Sequence, residues 1–290
     1  MSVPIIMHVN YCEQGQTLAE ICEKAVAWGF DGVEFRRKRA GVSETTEEYL
    51  DNLAQAVKKS GLKTVIFGSP GPNLTVADQK VRESEIDAAI SFFKMASQMF
   101  NLTVCNTFAG SLTNKTPGVP YSEYEKHGSF IATEDQWAWA AEGFKTIGEV
   151  AAELNFKLAF ETHMCYIHDL PEAAKKLTDL IGKSSVGINL DFGNAVYFKK
   201  APGLSDTINL IKDNLYYVHL KNSVAAVDGK RTPTGLGEGE INHRAYLKQL
   251  KSVGYNGPIC IEAPRAGDRE WFAQTDLAYI KSVMKDLDWL

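Results

Sequence analysis

Short apolar runs alternate with longer stretches of helical spacing eight times along this chain. Runs of strand length fall at 4–10, 31–36, 62–68, 102–108, 156–162, 185–191, 215–221 and 258–263. Between and after them the apolar spacing predicts helices over 17–28, 46–60, 78–99, 134–154, 171–181, 205–213, 242–253 and 270–287. Ile86, Ile90, Phe93 and Ala96 mark one such face, and Phe144, Ile147, Val150 and Ala151 another. Thr17, Asp206 and Asn242 stand where N-caps are expected, and Pro171 where a first helical turn accepts it. Gly61 and Gly254 follow helix ends, the place of a left-handed cap. Strict strand–helix alternation implies a parallel sheet with helices outside it. Eight units in 290 residues predict an α/β chain folded as one (β/α)8 TIM barrel over 1–290. No Gly-x-Gly-x-x-Gly follows the first strand, so a dinucleotide site has no support.

Four of the apolar runs end in a residue that binds metals. Phe156–Phe160 is followed by Glu161, Val186–Leu190 by Asp191, Leu215–Val218 by His219 and Pro258–Ile261 by Glu262. One acid at a strand end is ordinary surface; packing gives no reason for four in succession. In a barrel these positions lie at the carboxyl ends of strands five to eight, the face that carries catalysis. Three carboxylates and an imidazole suit one Mn²⁺, Mg²⁺ or Co²⁺ ion and tolerate Zn²⁺.

Residues two apart on a strand share a face. If Glu161 and His219 look into the barrel mouth, His163 and Lys221 do so too, and an imidazole and an ammonium join the metal ligands. A neutral imidazole suits proton transfer near pH 7. His8 with Asn10, and Glu34 with Arg36, hold the same relation on the first two strands, so His8, Asn10, Glu34 and Arg36 are expected to line the pocket. Asn194, Asn222 and Arg231, in the segments after strands six and seven, complete the candidate substrate-binding set. Three long segments, 110–133, 192–204 and 222–241, follow strand ends on this face and are expected to wall or cover the pocket.

Charge narrows the partners. A net charge of −5 and a pI near 5.8 argue against nucleic acid held by counterion release. No stretch of 18 apolar residues and no basic, signal-like start is present, which predicts a cytoplasmic protein without a membrane partner. Cys12, Cys22, Cys105, Cys165 and Cys260 are odd in number and lack Cys-x-x-Cys spacing, so buried thiols in a reducing compartment are expected.

The pieces Phe160-Glu161-Thr162-His163, Gly187-Ile188-Asn189-Leu190-Asp191-Phe192-Gly193-Asn194, Val218-His219-Leu220-Lys221-Asn222 and Ile261-Glu262-Ala263-Pro264 resemble the xylose-isomerase-like TIM-barrel superfamily of sugar phosphate isomerases and epimerases. The resemblance implies a divalent metal on Glu161, Asp191, His219 and Glu262. Within that group, Glu-x-His with His-x-Lys-Asn is similar to 3-dehydroshikimate dehydratases and related metal-dependent lyases, where residues matching His163 and Lys221 move protons. Two departures stand out: Asn194 lies where epimerases and dehydratases commonly carry His, and Ala225 where ketose 3-epimerases carry Arg. The group's endonucleases need further His ligands, so Asn194 and the acidic balance set this chain apart from them. The expected chemistry is abstraction of a proton α to a carbonyl of a keto-sugar or cyclitol. Elimination would make the protein a lyase; return of the proton through Glu161 and Glu262 would make it an isomerase or epimerase. A sugar-binding barrel without turnover is the third reading. Family analogy adds a possible homo-oligomer.

Overall fold

A computed structural model describes residues 3–68, 71–227 and 229–290. Met1 and Ser2 of the strand entry and Asp228 of the 222–241 segment lie outside them. Eight parallel strands build a nearly closed barrel: β1 (Ile5–His8), β2 (Gly32–Arg36), β3 (Thr64–Gly68), β4 (Val104–Thr107), β5 (Lys157–Glu161), β6 (Val186–Asp191), β7 (Leu215–Leu220) and β10 (Ile259–Ile261). They are ordered β3-β2-β1-β10-β7-β6-β5-β4. Among the described residues no ladder joins β3 to β4. The long helices are α1 (Leu18–Trp28), α2 (Thr46–Ser60), α3 (Gln79–Met99), α4 (Glu134–Glu153), α5 (Pro171–Ile181), α7 (Leu204–Ile211), α8 (His243–Ser252) and α9 (Arg269–Asp286). They wrap the barrel because their apolar stripes meet the outward faces of the strands in one continuous core.

Local chemistry sets most boundaries. Thr17, Thr45 and Thr133 each close a capping box with the Glu or Gln three residues on. Asn242 caps α8, and Pro171 opens α5. Asp206 is not a cap: α7 begins at Leu204 with Gly203 before it. The Asp206 carboxylate lies in the first turn instead, where the helix dipole favours it. All five cysteines are buried and unpaired. None of the described helices is long and apolar enough to cross a membrane.

The long segments carry structure of their own. A 3₁₀ turn, Val9–Cys12, cuts the first strand short at His8. A one-turn helix α6 (Phe192–Ala195) follows β6 directly, and the segment after β7 folds into an antiparallel hairpin, β8 (Ser223–Ala225) with β9 (Arg231–Pro233).

The barrel interior explains where the polar residues go. Ile6, Ile66, Val104, Ala159, Tyr217 and Cys260, one from each of six strands, pack into a separate inner layer. Two residues further along those strands come His8, Gly68, Asn106, Glu161, His219 and Glu262. The side-chain period of two lifts every one of them one layer toward the carboxyl end. That layer is almost wholly polar and almost wholly buried, so its groups must satisfy one another.

Candidate metal centre

Glu161, Asp191, His219 and Glu262 each present one donor atom, and these atoms all lie within 4.8 Å of one another. His219 Nδ1 is 2.8 Å from Glu262 Oε2 and 3.4 Å from Glu161 Oε2. Burial alone would lower the His219 pKa, but Glu34, Glu161 and Glu262 raise it well above its ordinary value. Burial raises Asp191, against the pull of Lys221, and the neighbouring glutamates add to the rise. Asp191 Oδ1 is buried without a partner among the described residues, and Asp191 Oδ2, His219 Nδ1 and Glu262 Oε2 have ionic neighbours within the cluster but no contact of hydrogen-bond geometry. Lys221 Nζ approaches three of the ligands, at 2.7 Å from Asp191, 3.2 Å from Glu262 and 3.7 Å from Glu161. Carboxylates packed this closely stay ionised only around positive charge, so the donor set fits a divalent cation.

The four candidate donors are held from behind. Glu34 accepts from His219 Nε2 at 2.7 Å and from Tyr217 Oη at 2.7 Å. Burial works against its charge, yet His219, His8 and Tyr217 bring the Glu34 carboxyl down to about 2. An ionised carboxylate only accepts, so Nε2 carries the proton and Nδ1 is left to face the cluster. Gly68 makes this possible: a Cβ there would stand 2.0 Å from Glu34 Oε1. Asn106 donates to Glu34 and to Glu161 at 3.2 and 3.0 Å, and Asn10 donates to Glu262 at 3.2 Å. His168, fully buried, accepts from Ala109 N at 3.1 Å and donates to the Glu161 carbonyl at 2.6 Å.

The substrate-binding set divides. Asn194 lines the cavity over the cluster, but its amide donates to Glu161 Oε1 and the Thr162 carbonyl, both at 3.0 Å. Asn222 also reaches that cavity, with its amide engaged by Leu236, Ile241 and Ser223, where it ties the 222–241 segment together. Glu34 is 1% exposed and lines no cavity wall; it positions His219. His8 Nδ1 accepts from Asn10 N, and its Nε2 sits 3.8 Å from Glu262, beside the ligands and off the wall. Arg36 turns outward into a fork with Glu13, at 2.5 and 2.9 Å. Arg231 lies on β9, donating to Ser223 Oγ at 2.9 Å with its guanidinium 5.5 Å over the Tyr197 ring. Lys221 lines the cavity; His163 does not, because β5 ends at Glu161 and strict alternation ends with it. The His163 ring stands edge-on to Phe108 and Tyr166. Asn10, paired with His8 in the sequence, does line the cavity, whereas the sequence reading gave no place in the site to Asn106, Tyr217 or His168. Asn106 and Tyr217 obey the same period of two from Val104 and toward His219, so that signal was present.

The cavity above the cluster measures about 230 Å³. Tyr197 from 192–204, and Ser223 and Pro233 from 222–241, form part of its wall. The 110–133 segment does not reach it. It stands behind, with Tyr124 packed edge-on to Tyr197 at 5.9 Å. Deleting 117–124 should therefore act through a loosened Tyr197 or not at all. A raised KM with a nearly unchanged melting temperature is expected; unchanged kinetics on every accepted substrate would show that the wall stands without it.

The chain matches the family model described as xylose isomerase-like TIM barrel over residues 22–283. The chain belongs to that family. Among solved structures of similar fold, the xylose isomerase-like TIM barrel protein of Mycobacterium smegmatis, in complex with magnesium, superposes with a TM-score of 0.74 at 17% identity, over 98% of this chain and 97% of its own. The probable 3-DHS dehydratase AsbF of Bacillus anthracis gives 0.72 at 17% identity, over 96% and 98%. The D-psicose 3-epimerase of Clostridium cellulolyticum H10, with D-tagatose, gives 0.76 at 15% identity, over 97% and 99%. In sequence, the inosose dehydratase of Clostridium perfringens is 27% identical over 153 residues, 47% of this chain and 50% of the relative. The match thus spans about half the length of that relative.

Two buried imidazoles give this xylose isomerase-like barrel a pH dependence. Burial pushes His168 and His243 down to about 4 from the ordinary 6.5. Between those values the unfolded chain binds more protons, so their contribution is complete above 6.5 and is lost as pH falls through about 4. Asp169, raised by burial to about 6, acts oppositely; its contribution is present below 3.8 and is lost as pH rises through 6. Asp191 and His219, both raised, act in the same direction as Asp169, so the net slope is not set by the two rings alone. The expected result is the difference, with His243→Gln losing less stability from pH 7 to pH 5 than the unaltered chain. A profile that His243→Gln leaves unchanged would refute the part assigned to that ring.

Proposed function

We propose that this chain is a divalent-metal-dependent enzyme that removes a proton α to a carbonyl of a keto-sugar or cyclic keto-polyol and then eliminates a β-substituent. The observation that carries the reading is the four-donor cluster with Lys221 against it, opening into a cavity of one-ring size. At 230 Å³ the cavity is below the roughly 300–1,000 Å³ of drug-sized sites. Lys221 and Glu262 are its charged walls among the described residues, with amides and two hydroxyls around them. That lining suits a neutral polyol and supports an unphosphorylated substrate. The relatives named inosose dehydratase and 3-DHS dehydratase support the elimination outcome.

Glu161, Asp191, His219 and Glu262 would hold the ion, with Mn²⁺, Mg²⁺ or Co²⁺ as the expected metals. When bound, it supplies Lewis acidity to a substrate oxygen and favours loss of the neighbouring proton. His163 is the proposed base, although it stands beside the cavity and not in its wall; it would meet the α-proton only of a substrate that extends past its neighbour Met164, which does line the cavity. His163 Nδ1 lies 2.9 Å from the Met164 carbonyl, so that nitrogen carries the hydrogen and Nε2 keeps a lone pair for the proton. Lys221, poised at the cavity floor, donates to developing oxyanion charge or to the departing hydroxyl.

A second reading, epimerisation, rests on Glu161 and Glu262 both lying close to His219 Nδ1, at 3.4 and 2.8 Å, as a pair of carboxylates that could take and return one substrate proton. A screen of keto-sugars and cyclic keto-polyols in D₂O, with added Mn²⁺, Mg²⁺ or Co²⁺, separates the two. Deuterium in recovered substrate reports proton removal, and a product lighter by water reports elimination. Exchange with products of unchanged composition would favour the epimerase; no exchange with an intact metal complex would favour a binding protein.

A further inference from the structure

A second cavity of about 680 Å³ lies beside the barrel mouth and shares no lining residue with the first. The 3₁₀ turn Val9–Cys12 divides them: Asn10 lines the small cavity, while Val9 and Cys12 line the large one. The volume is that of a small-molecule site. Leu18 and Ile21 of α1, Phe35 of β2 and Tyr49 of α2, all buried, give it an apolar floor.

Its charged lining is cationic. Arg36, Lys38, Arg39 and Arg269 face one carboxylate, Glu13, in a chain that holds more acids than bases. Two of these cations are compensated, Arg36 by Glu13 and Arg39 by Glu44. Two are not. Lys38 is exposed and has no acidic partner among the described residues. Arg269 donates through Nη1 to the Asn10 carbonyl at 2.9 Å, and its Nε is buried with no acceptor among the described residues. That nitrogen is closed off, so an occupant would meet the remaining, cavity-lining part of the Arg269 guanidinium.

We propose that this cavity binds an organic anion, its carboxylate or phosphate meeting Lys38 and Arg269 and its apolar ring or branched body lying on Leu18, Ile21 and Phe35. Inorganic phosphate would leave the floor unused, and a neutral apolar molecule would leave the cations unanswered. The occupant would adjoin the metal centre through a single residue, because Arg269 holds the Asn10 carbonyl and the Asn10 amide holds Glu262 at 3.2 Å.

Titration calorimetry on the full chain with phenyl phosphate, inorganic phosphate and phenol tests the proposal. Phenyl phosphate should bind at least tenfold more tightly than either of the other two. Lys38→Glu, on an exposed side chain, should weaken phenyl phosphate at least tenfold, and Arg269→Gln should do the same. Should Arg269→Gln fail to fold, Lys38→Glu decides. Absent binding of phenyl phosphate, phosphate binding as tightly as phenyl phosphate, or an affinity that Lys38→Glu leaves intact would each overturn it.

Discussion

Glu34→Ala is expected to cost the protein about 3–5 kcal/mol of stability, the usual penalty for removing one partner of a buried ion pair. Three donors converge on this carboxylate: His219 Nε2, Tyr217 Oη and Asn106 Nδ2. Alanine leaves them facing a void in the most buried layer of the barrel. Loss of one negative charge beside Glu161 and Glu262 relieves some repulsion, so the lower end of that range is expected. Glu34→Gln separates shape from charge. Its amide keeps one acceptor oxygen, so either His219 and Tyr217 or Asn106 would face an amide N–H, and the negative charge behind His219 is lost while the volume is kept. Metal affinity should fall roughly 10- to 100-fold, as for other outer partners of a ligating histidine. Gly68→Ala should resemble Glu34→Gln, since the added Cβ displaces the same carboxylate. Thermal melts with and without Mn²⁺, together with calorimetric metal titration, read all three variants. Wild-type metal affinity in Glu34→Gln would show that His219 needs no orienting carboxylate.

The second large effect concerns the proposed base and donor. His163→Ala is expected to keep the metal and lose roughly 10²–10⁴ in kcat, the worth of general acid–base catalysis. Lys221→Met should also depress kcat without releasing the ion, because its ammonium lies against the ligands and is not one of them. The two variants differ in α-proton exchange. With His163 as base, exchange of substrate protons with D₂O stops in His163→Ala. With Lys221 serving the departing group, exchange persists in Lys221→Met while elimination fails. Glu161→Gln and Glu262→Gln lose activity under either reading and decide nothing. Near-wild-type turnover in both the His163 and Lys221 variants, with exchange intact, would sink the lyase reading and leave Glu161 and Glu262 as the proton-exchanging pair.

The period of two in the strands was enough to bring Glu161, Asp191, His219 and Glu262 to one end of one barrel. An apolar run of strand length has only two faces, and a polar residue at its end must lie where the packed interior opens. The same rule covered Lys221 and, unnoticed, Asn106 and Tyr217. It failed at His163, which lies beyond the end of β5, and at Arg36, the last paired residue of β2, whose long side chain swings out to Glu13. Which polar residue serves which partner was not legible at all. Glu34 reads in sequence like another pocket wall, and Asn194 like a substrate contact. They became positioning groups only because His219 and Glu161, 185 and 33 residues away along the chain, arrive beside them. The division of the mouth into two cavities also waited for the fold, since it depends on one 3₁₀ turn after His8 that no apolar spacing marks. Local pattern determines elements and faces, because they follow from backbone periodicity. Partners and cavity walls are decided by which distant segments closure of the barrel brings within hydrogen-bonding distance.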